Sequence, residues 1–234
     1  MRNFNIQDCI LYEDREILVC HKPAGIAVQN ARLGAADMES SLKNYLALKN
    51  PGKIPYLGII HRLDQPVEGV LVFAKTQKAA SELNRQITAK TVTKEYLAVT
   101  AQMPDEKQGH LEDYLKKDNR TNSSSVVASK TPGAKKAVLD YWVQEEIKDE
   151  QIETGKRILV KIALDTGRHH QIRVQMAHKG MPLLGDRKYN AKDISGLPLG
   201  LCSCHLAFRH PVTGKKMEFK AAPKGEVFTG FQTL

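Results

Sequence analysis

The stretch that most constrains this chain runs Leu57-Gly58-Ile59-Ile60-His61-Arg62-Leu63-Asp64-Gln65-Pro66-Val67-Glu68-Gly69-Val70-Leu71-Val72-Phe73. Two apolar runs, Leu57 to Ile60 and Val70 to Phe73, enclose a polar loop that carries His61, Arg62 and Asp64. Short apolar runs bounded by turn residues read as buried strand segments. The loop is therefore pinned at both ends close to the interior, where a charge is costly unless it is paired or put to use. The residues alone leave two readings open. One is structural, an Arg62–Asp64 salt bridge or an Asp capping a turn; the other is a carboxylate held for chemistry.

With 234 residues and 41% hydrophobic content, the chain is long enough for a substantial core in one large domain or two small ones. No run approaches the roughly 18 apolar residues of a membrane helix. The first residues, Met1-Arg2-Asn3-Phe4-Asn5-Ile6, lack the apolar core of a signal peptide, so a cytoplasmic protein is expected. Cys9, Cys20, Cys202 and Cys204 then read as reduced thiols. A net charge of +9 points to a polyanionic partner, most simply nucleic acid. The excess is concentrated: Lys156 to Lys188 holds eight Lys and Arg against two Asp.

Taken in order, Cys9 to Tyr12 and Glu16 to Cys20 read as strands that end in Lys22-Pro23-Ala24-Gly25, a tight backbone course. Ile26 to Val28 continues extended. Glu39 to Lys49 is helical by the spacing of Leu42, Tyr45 and Leu46, with Ala35 to Asp37 leading in and Pro51-Gly52 stopping it. Val70 to Ala74 is a strand, and Thr76 caps a helix over Gln77 to Lys90 with Ala80, Leu83 and Ile87 as its apolar stripe. Glu95 to Thr100 is a strand. Gln108 to Lys136, rich in Lys and Ser, reads as mostly loop or hairpin. Strands follow over Ala137 to Glu146 and Arg157 to Leu164, then a short helix over His169 to His178 opened by Asp165-Thr166-Gly167-Arg168. Leu201 to Phe208 and Lys215 to Phe219 form a hairpin around Pro211-Val212-Thr213-Gly214. Strands outnumber helices, and the helices are scattered among them. The expected class is α+β with a large mixed, mainly antiparallel sheet.

Three constellations carry chemistry. The first is the loop around Asp64. The second is Asp165 to Arg173, where Arg168 and Arg173 lie on different sides of a helix and one could meet phosphates at the helix start; a merely solvated basic helix is its plain alternative. The third is a zinc site of Cys202, Cys204, His205 and His169 or His170. Structural zinc usually draws on C-x-x-C pairs, and Cys202-Ser203-Cys204 is one residue short, so no metal is expected. There is no Gly-x-Ser-x-Gly elbow, Walker loop or Rossmann glycine pattern.

His61-Arg62-Leu63-Asp64, followed by Gly69 and a strand, resembles the catalytic signature of the RluA-type RNA pseudouridine synthases. Lys22-Pro23-Ala24-Gly25 resembles that family's Lys-Pro-x-Gly element, and Lys94-Glu95-Tyr96-Leu97-Ala98 its Lys-x-Tyr-x-Ala strand. Gly167 to Arg173 is similar to its Gly-Arg-x-His-Gln-Ile-Arg segment. Pro182, Gly185, Asp186 and Tyr189 match the sequel, and His210-Pro211-Val212-Thr213 the terminal hairpin. The matches occur in the family's order from about residue 10 to 223. Three positions depart: Val67-Glu68 stands for a usual Thr-Ser, and Gln29 and Gln175 replace frequent histidines.

The resemblance implies a single catalytic domain over 1–234 with no S4 domain ahead of it, and a pseudouridine synthase fold with its active-site cleft across the sheet. The reaction it implies is cofactor-free: a uridine of ribosomal or transfer RNA is flipped out, its N1–C1′ bond is broken, and the base is rejoined through C5. One carboxylate suffices, and Asp64 is its carrier. Tyr96 would stack on the base, and Arg173 would pair with Asp64 and keep it ionised. Arg62, Arg168, His61, Lys22 and His170 would bind RNA or support loops. A monomer with no membrane contact and no obligate protein partner is expected. A non-catalytic RNA-binding protein on the same fold, or a zinc-dependent nucleic-acid hydrolase, are the competing classes.

Overall fold

The computed structural model describes residues 5–30 and 36–234, so Ala35 in the expected approach to the first helix lies outside the described residues. Its strands and helices in chain order are β1 (Ile10–Glu13), β2 (Ile17–Lys22), α1 (Met38–Lys49), β3 (Gly58–Ile59), β4 (Glu68–Ala74), α2 (Gln77–Thr88), β5 (Thr93–Thr100), β6 (Gln108–Asp118), β7 (Ser123–Val126), β8 (Lys135–Lys148), β9 (Lys156–Leu164), α3 (Gln171–His178), β10 (Leu201–Arg209) and β11 (Lys216–Lys220). Eleven strands against three helices among the described residues make this the α+β class expected. Two compact units share the chain. The first joins Met1–Thr93 to Ser203–Ala222, and the second joins Lys94–Cys202 to Pro223–Leu234.

In the first unit the strand order is β1-β2-β4-β10, with β3 on β4 and β11 on β10. Every residue of β2 and of β4 is buried, which is why both read as continuous apolar runs rather than alternating ones. They pair antiparallel from Ile17↔Ala74 to Lys22↔Gly69. Helix α2 closes one face. Thr76 accepts the Ala79 N–H at its start, and Ala79, Ala80 and Leu83 pack on Ile17, Val19, Val70, Val72, Leu206 and Phe208. Burying each large aliphatic here is worth roughly 1.5–3 kcal/mol. The buried Gln86 ties the helix to β10 by two bonds, donating to Arg209 C=O and accepting from its N–H, both 2.9 Å.

The second unit has the order β5-β9-β8-β6-β7, antiparallel at each pairing. Of the two readings for Gln108 to Lys136, loop or hairpin, the hairpin holds: much of the stretch is the eleven-residue β6 and the four-residue β7, paired antiparallel. Only Leu111 and Leu115 of β6 are buried, so composition hides the strand while its neighbours β8 and β7 hold it in register. Leu115, Ala137 and Val174 form the small core on which α3 rests. That helix begins at Gln171 rather than His169, because His170 adopts the left-handed conformation at φ 55° and ends the preceding turn.

Gly69 marks the junction of loop and strand. Its φ is +124°, and a Cβ there would lie 2.7 Å from Ser203 Cα with the Ser203 backbone N and O closer still. Only a residue without a Cβ lets β4 and β10 approach this closely. Gly69→Ala should therefore destabilise the protein by about 3 kcal/mol. Chemical denaturation checks this, and a loss under 1 kcal/mol would show that the strands simply part to admit the methyl.

Candidate active site

The loop from Ile60 to Glu68 is held by its own apolar residues. Ile60, Leu63 and Val67 point into the interior at 9%, 7% and 2% exposure, while Gln65 and Pro66 form the exposed tip. A turn closes where the Val67 N–H donates to Asp64 C=O at 3.0 Å. Between the buried Leu63 and the exposed Gln65, Asp64 is half-buried, open enough to meet a ligand. Arg62 is exposed, and among the described residues no ion pair joins it to Asp64, so the structural salt bridge does not form. His61 turns back to the strand, its Nε2 accepting the Val72 N–H at 3.4 Å.

Lys22 decides the loop's position. Its side chain is fully buried, and its ammonium donates to Pro23 C=O (2.9 Å), Ile26 C=O (2.7 Å) and Gln65 C=O (3.1 Å). The Gly25 N–H also donates to Gln65 C=O at 2.9 Å, and Gln65 Nε2 returns a bond to Gly25 C=O at 3.0 Å. The Lys-Pro-Ala-Gly turn and the Asp64 loop are thereby one hydrogen-bonded body. A fully buried ammonium has no path to a phosphate. Burial pushes Lys22 down to about 7, against the opposing pull of the Asp64 and Glu68 carboxylates.

Glu68 was legible in the sequence only as an oddity. It is 4% exposed, with its Oε2 3.9 Å from Nε2 of the equally buried His21 on β2. The Val67-Glu68 departure thus puts a valine into the core and a carboxylate beside the charge of Lys22. The buried cation has a local counter-charge in addition to Asp64.

The second unit gathers Arg168, His170 and Arg173 around α3. Arg173 is 6% exposed and makes a two-point contact with the 1%-exposed Asp186, Nε to Oδ2 at 2.8 Å and Nη2 to Oδ1 at 2.7 Å. Its guanidinium lies 5.1 Å from the Tyr189 ring centroid. Asp186 Oδ1 further accepts the Lys188 and Tyr189 N–H groups, and Tyr189 Oη meets His170 Nδ1 at 2.7 Å. His170 is buried, and His169 stacks on it with centroids 3.8 Å apart. Arg168 is exposed in the turn before the helix, its Nε donating to Lys136 C=O at 2.8 Å. Gln171 fixes that turn by accepting from Thr166 Oγ1 (2.8 Å) and the Arg168 N–H (2.9 Å). Gln175, a departure from the family pattern, donates to Asp113 at 2.8 Å and seats α3 on the sheet. Tyr96 is 7% exposed in mid-β5, opposite Ile162. Asp186 and Tyr189 were visible as motif residues, but nothing in the sequence joined them to Arg173. Cys9, Cys20, Cys202 and Cys204 are free thiols, and no group of three His, Cys, Asp or Glu among the described residues is placed to share a metal.

Residues 16–178 match the family model for RNA pseudouridylate synthase. The chain belongs to the RNA pseudouridylate synthases. Within them it is of the RluA type that its motifs resemble. An uncharacterized RNA pseudouridine synthase of Bacillus subtilis is 34% identical over 217 residues, covering 91% of this chain and 68% of that protein. Ribosomal large subunit pseudouridine synthase D of Zymomonas mobilis is 32% identical over 227 residues, with the same two coverages of 91% and 68%. Among solved structures, human RNA pseudouridylate synthase domain containing 4 shares the fold with a TM-score of 0.74 at 22% identity, over 94% of this chain and 90% of that one. The protein is accordingly an RNA pseudouridine synthase, an isomerase whose partner is RNA.

The state of Lys22 makes a signed prediction. Its ordinary value is 10.5 and its value in the fold about 7, so between these the unfolded chain binds a proton that the folded chain does not. The Lys22 contribution to stability therefore rises with pH across that window, by up to about 1.4 kcal/mol per unit, and is flat below it. Lys22→Met should show this as a difference from the parent that widens between pH 7 and pH 9 in urea titrations. A gap independent of pH would mean that Lys22 stays protonated throughout.

Proposed function

We propose that this synthase converts specific uridines of structured RNA to pseudouridine with Asp64 as the reacting carboxylate, and that ribosomal RNA is its first substrate class. The name of the Zymomonas mobilis relative, a large-subunit ribosomal enzyme, supports that choice; transfer RNA is the second class to test. The observation that carries the catalytic assignment is the clamped, half-buried Asp64, a carboxylate fixed by its backbone and not consumed by the neighbouring Arg62.

The chemistry is balanced without any added group. The N1–C1′ bond breaks, the freed uracil turns, and C5 bonds to C1′. C5 then gives up its proton while N1 gains one, so the formula is unchanged. Asp64 takes part either as nucleophile or as acceptor of a proton. From their motif positions, Tyr96 is assigned as the stacking platform, with its hydroxyl assisting proton movement, and Arg173 as the cation that pairs with Asp64. Arg62 and Arg168, both exposed, hold phosphates. The target base leaves the RNA stack, at a cost of a few kcal/mol that contacts to the flanking RNA offset. We assign the protein to the cytoplasm as a cofactor-free monomer with no obligate protein partner. No helix among the described residues is long and apolar enough to cross a membrane.

Asp64→Asn should reduce tritium release from RNA carrying C5-tritiated uridine by at least about 10²-fold while RNA binding persists. Equal product from the variant and the parent would remove Asp64 from the mechanism. Tyr96→Phe should bind RNA normally and turn over more slowly; unchanged turnover would reduce Tyr96 to a stacking surface.

A further inference from the structure

The second unit carries a cavity of about 380 Å³ whose lining includes Lys116, Lys117, Lys135, Arg168, His169 and Ser124 and contains no carboxylate. Three lysines and an arginine are among the residues that line this hollow, and each is exposed. Several other cations of the chain do find acids: Lys136 pairs with Glu112 at 2.7 Å, Lys161 with Glu95 at 2.9 Å and Arg157 with Asp149 at 2.6 Å. The cavity lysines have no such partner among the described residues. Like charges gathered without counter-ions repel one another, so the arrangement costs stability in the absence of an anion and is relieved by one.

The positions are built rather than incidental. Lys116 and Lys117 are fixed opposite Ser125 and Ser124 in the β6–β7 ladder, and Lys135 stands opposite Leu115 in the β6–β8 ladder. The bond from Arg168 Nε to Lys136 C=O orients the guanidinium before any ligand arrives. His169 is oriented twice, by Ser124 Oγ at 2.9 Å and by its stack on His170. The half-buried Lys94 lies close by, its Nζ 3.3 Å from where a Cβ on Gly167 of the lining would sit. Donors ordered in advance lose less conformational freedom on binding, which favours a specific contact over a diffuse basic surface.

We infer that this cavity seats the sugar–phosphate backbone of the substrate RNA, with Lys116, Lys117 and Lys135 each neutralising phosphate charge beside Arg168. The inference rests on the chain's acting on RNA, and it is independent of which residue performs the isomerisation. Contacts of this kind position the nucleic acid without reading its sequence.

The test uses the full chain and total ribosomal RNA, with binding measured between about 50 and 200 mM salt. Lys116→Ala, Lys117→Ala and Lys135→Ala should each weaken binding severalfold and flatten the log K against log salt slope by about 0.7–0.9. Turnover at saturating RNA should be unchanged, so the loss appears in KM. Lys216→Ala on β11, whose side chain is 74% exposed and lies outside the cavity, should alter neither quantity. A triple variant that folds normally by circular dichroism yet keeps the parent slope overturns the inference. Stoichiometric binding of inorganic phosphate that the triple variant loses, with RNA binding unaffected, overturns it in favour of a free-anion site. If the parent binds RNA with the full slope but makes no pseudouridine, the catalytic reading fails and the cavity stands.

Discussion

The ammonium of Lys22 is the interaction on which the candidate site depends. A loop that carries a reactive carboxylate cannot be both polar and rigid by packing alone, because its tip is exposed and its backbone carbonyls need donors. One buried side chain meets three of those carbonyls, Pro23, Ile26 and Gln65, and so locks two loops that are 43 residues apart in sequence. The cost is a charge taken out of water. Asp64 and Glu68 reduce that cost, which makes the loop's half-buried Asp64 part of the support of its own scaffold. The clamp and the carboxylate are therefore a coupled system: neutralising either alters the electrostatics of the other.

The second unit solves the same problem with a different cation. Arg173 is nearly as buried as Lys22, but its planar fork is met by both oxygens of Asp186, whose remaining lone pairs are taken up by the Lys188 and Tyr189 amides. A point charge suits the convergence of three carbonyls, whereas a bidentate fork suits one carboxylate. The residue types in the two motifs are thus not exchangeable. Breaking such a buried pair from one side leaves a charge stranded at a cost of about 3–5 kcal/mol. This network orients Tyr189, His170 and, through their stack, His169.

How much of this was legible follows from what sequence patterns encode. Apolar periodicity and caps are local, so β4, the Thr76 cap, α1 and the hairpin after Arg209 were readable. The β6–β7 hairpin could be read only as loop or hairpin, since it keeps only Leu111, Leu115 and Ser124 inward and otherwise presents lysines and serines. The chemistry of the site was legible in residue type but not in partnership. Lys22 reads equally as an RNA ligand or a loop support until its burial is known, an Arg62–Asp64 pair stays open until Arg62 is seen to be exposed, and the interior position of Glu68 is not encoded in its motif. Pairings such as His21 with Glu68 or Arg173 with Asp186 depend on strand register and loop course, which no short motif contains.

These partnerships answer a difficulty that any carboxylate enzyme for RNA faces. The substrate is a polyanion, and a fixed negative charge in its path lowers affinity as it supplies chemistry. A net +9 spread evenly would offset this only weakly, since charges more than about 8–10 Å from a phosphate are screened at physiological salt. The chain instead separates its cations by task. Lys22 and Arg173 are buried and bonded to Gln65, Asp186 and their neighbours, so they shape the protein. Cations such as Lys116, Lys117, Lys135 and the exposed Arg62 and Arg168, which have no acid partner among the described residues, remain available to the polyanion. Attraction for RNA and the placement of Asp64 are consequently carried by different residues, and each can be altered without dismantling the other.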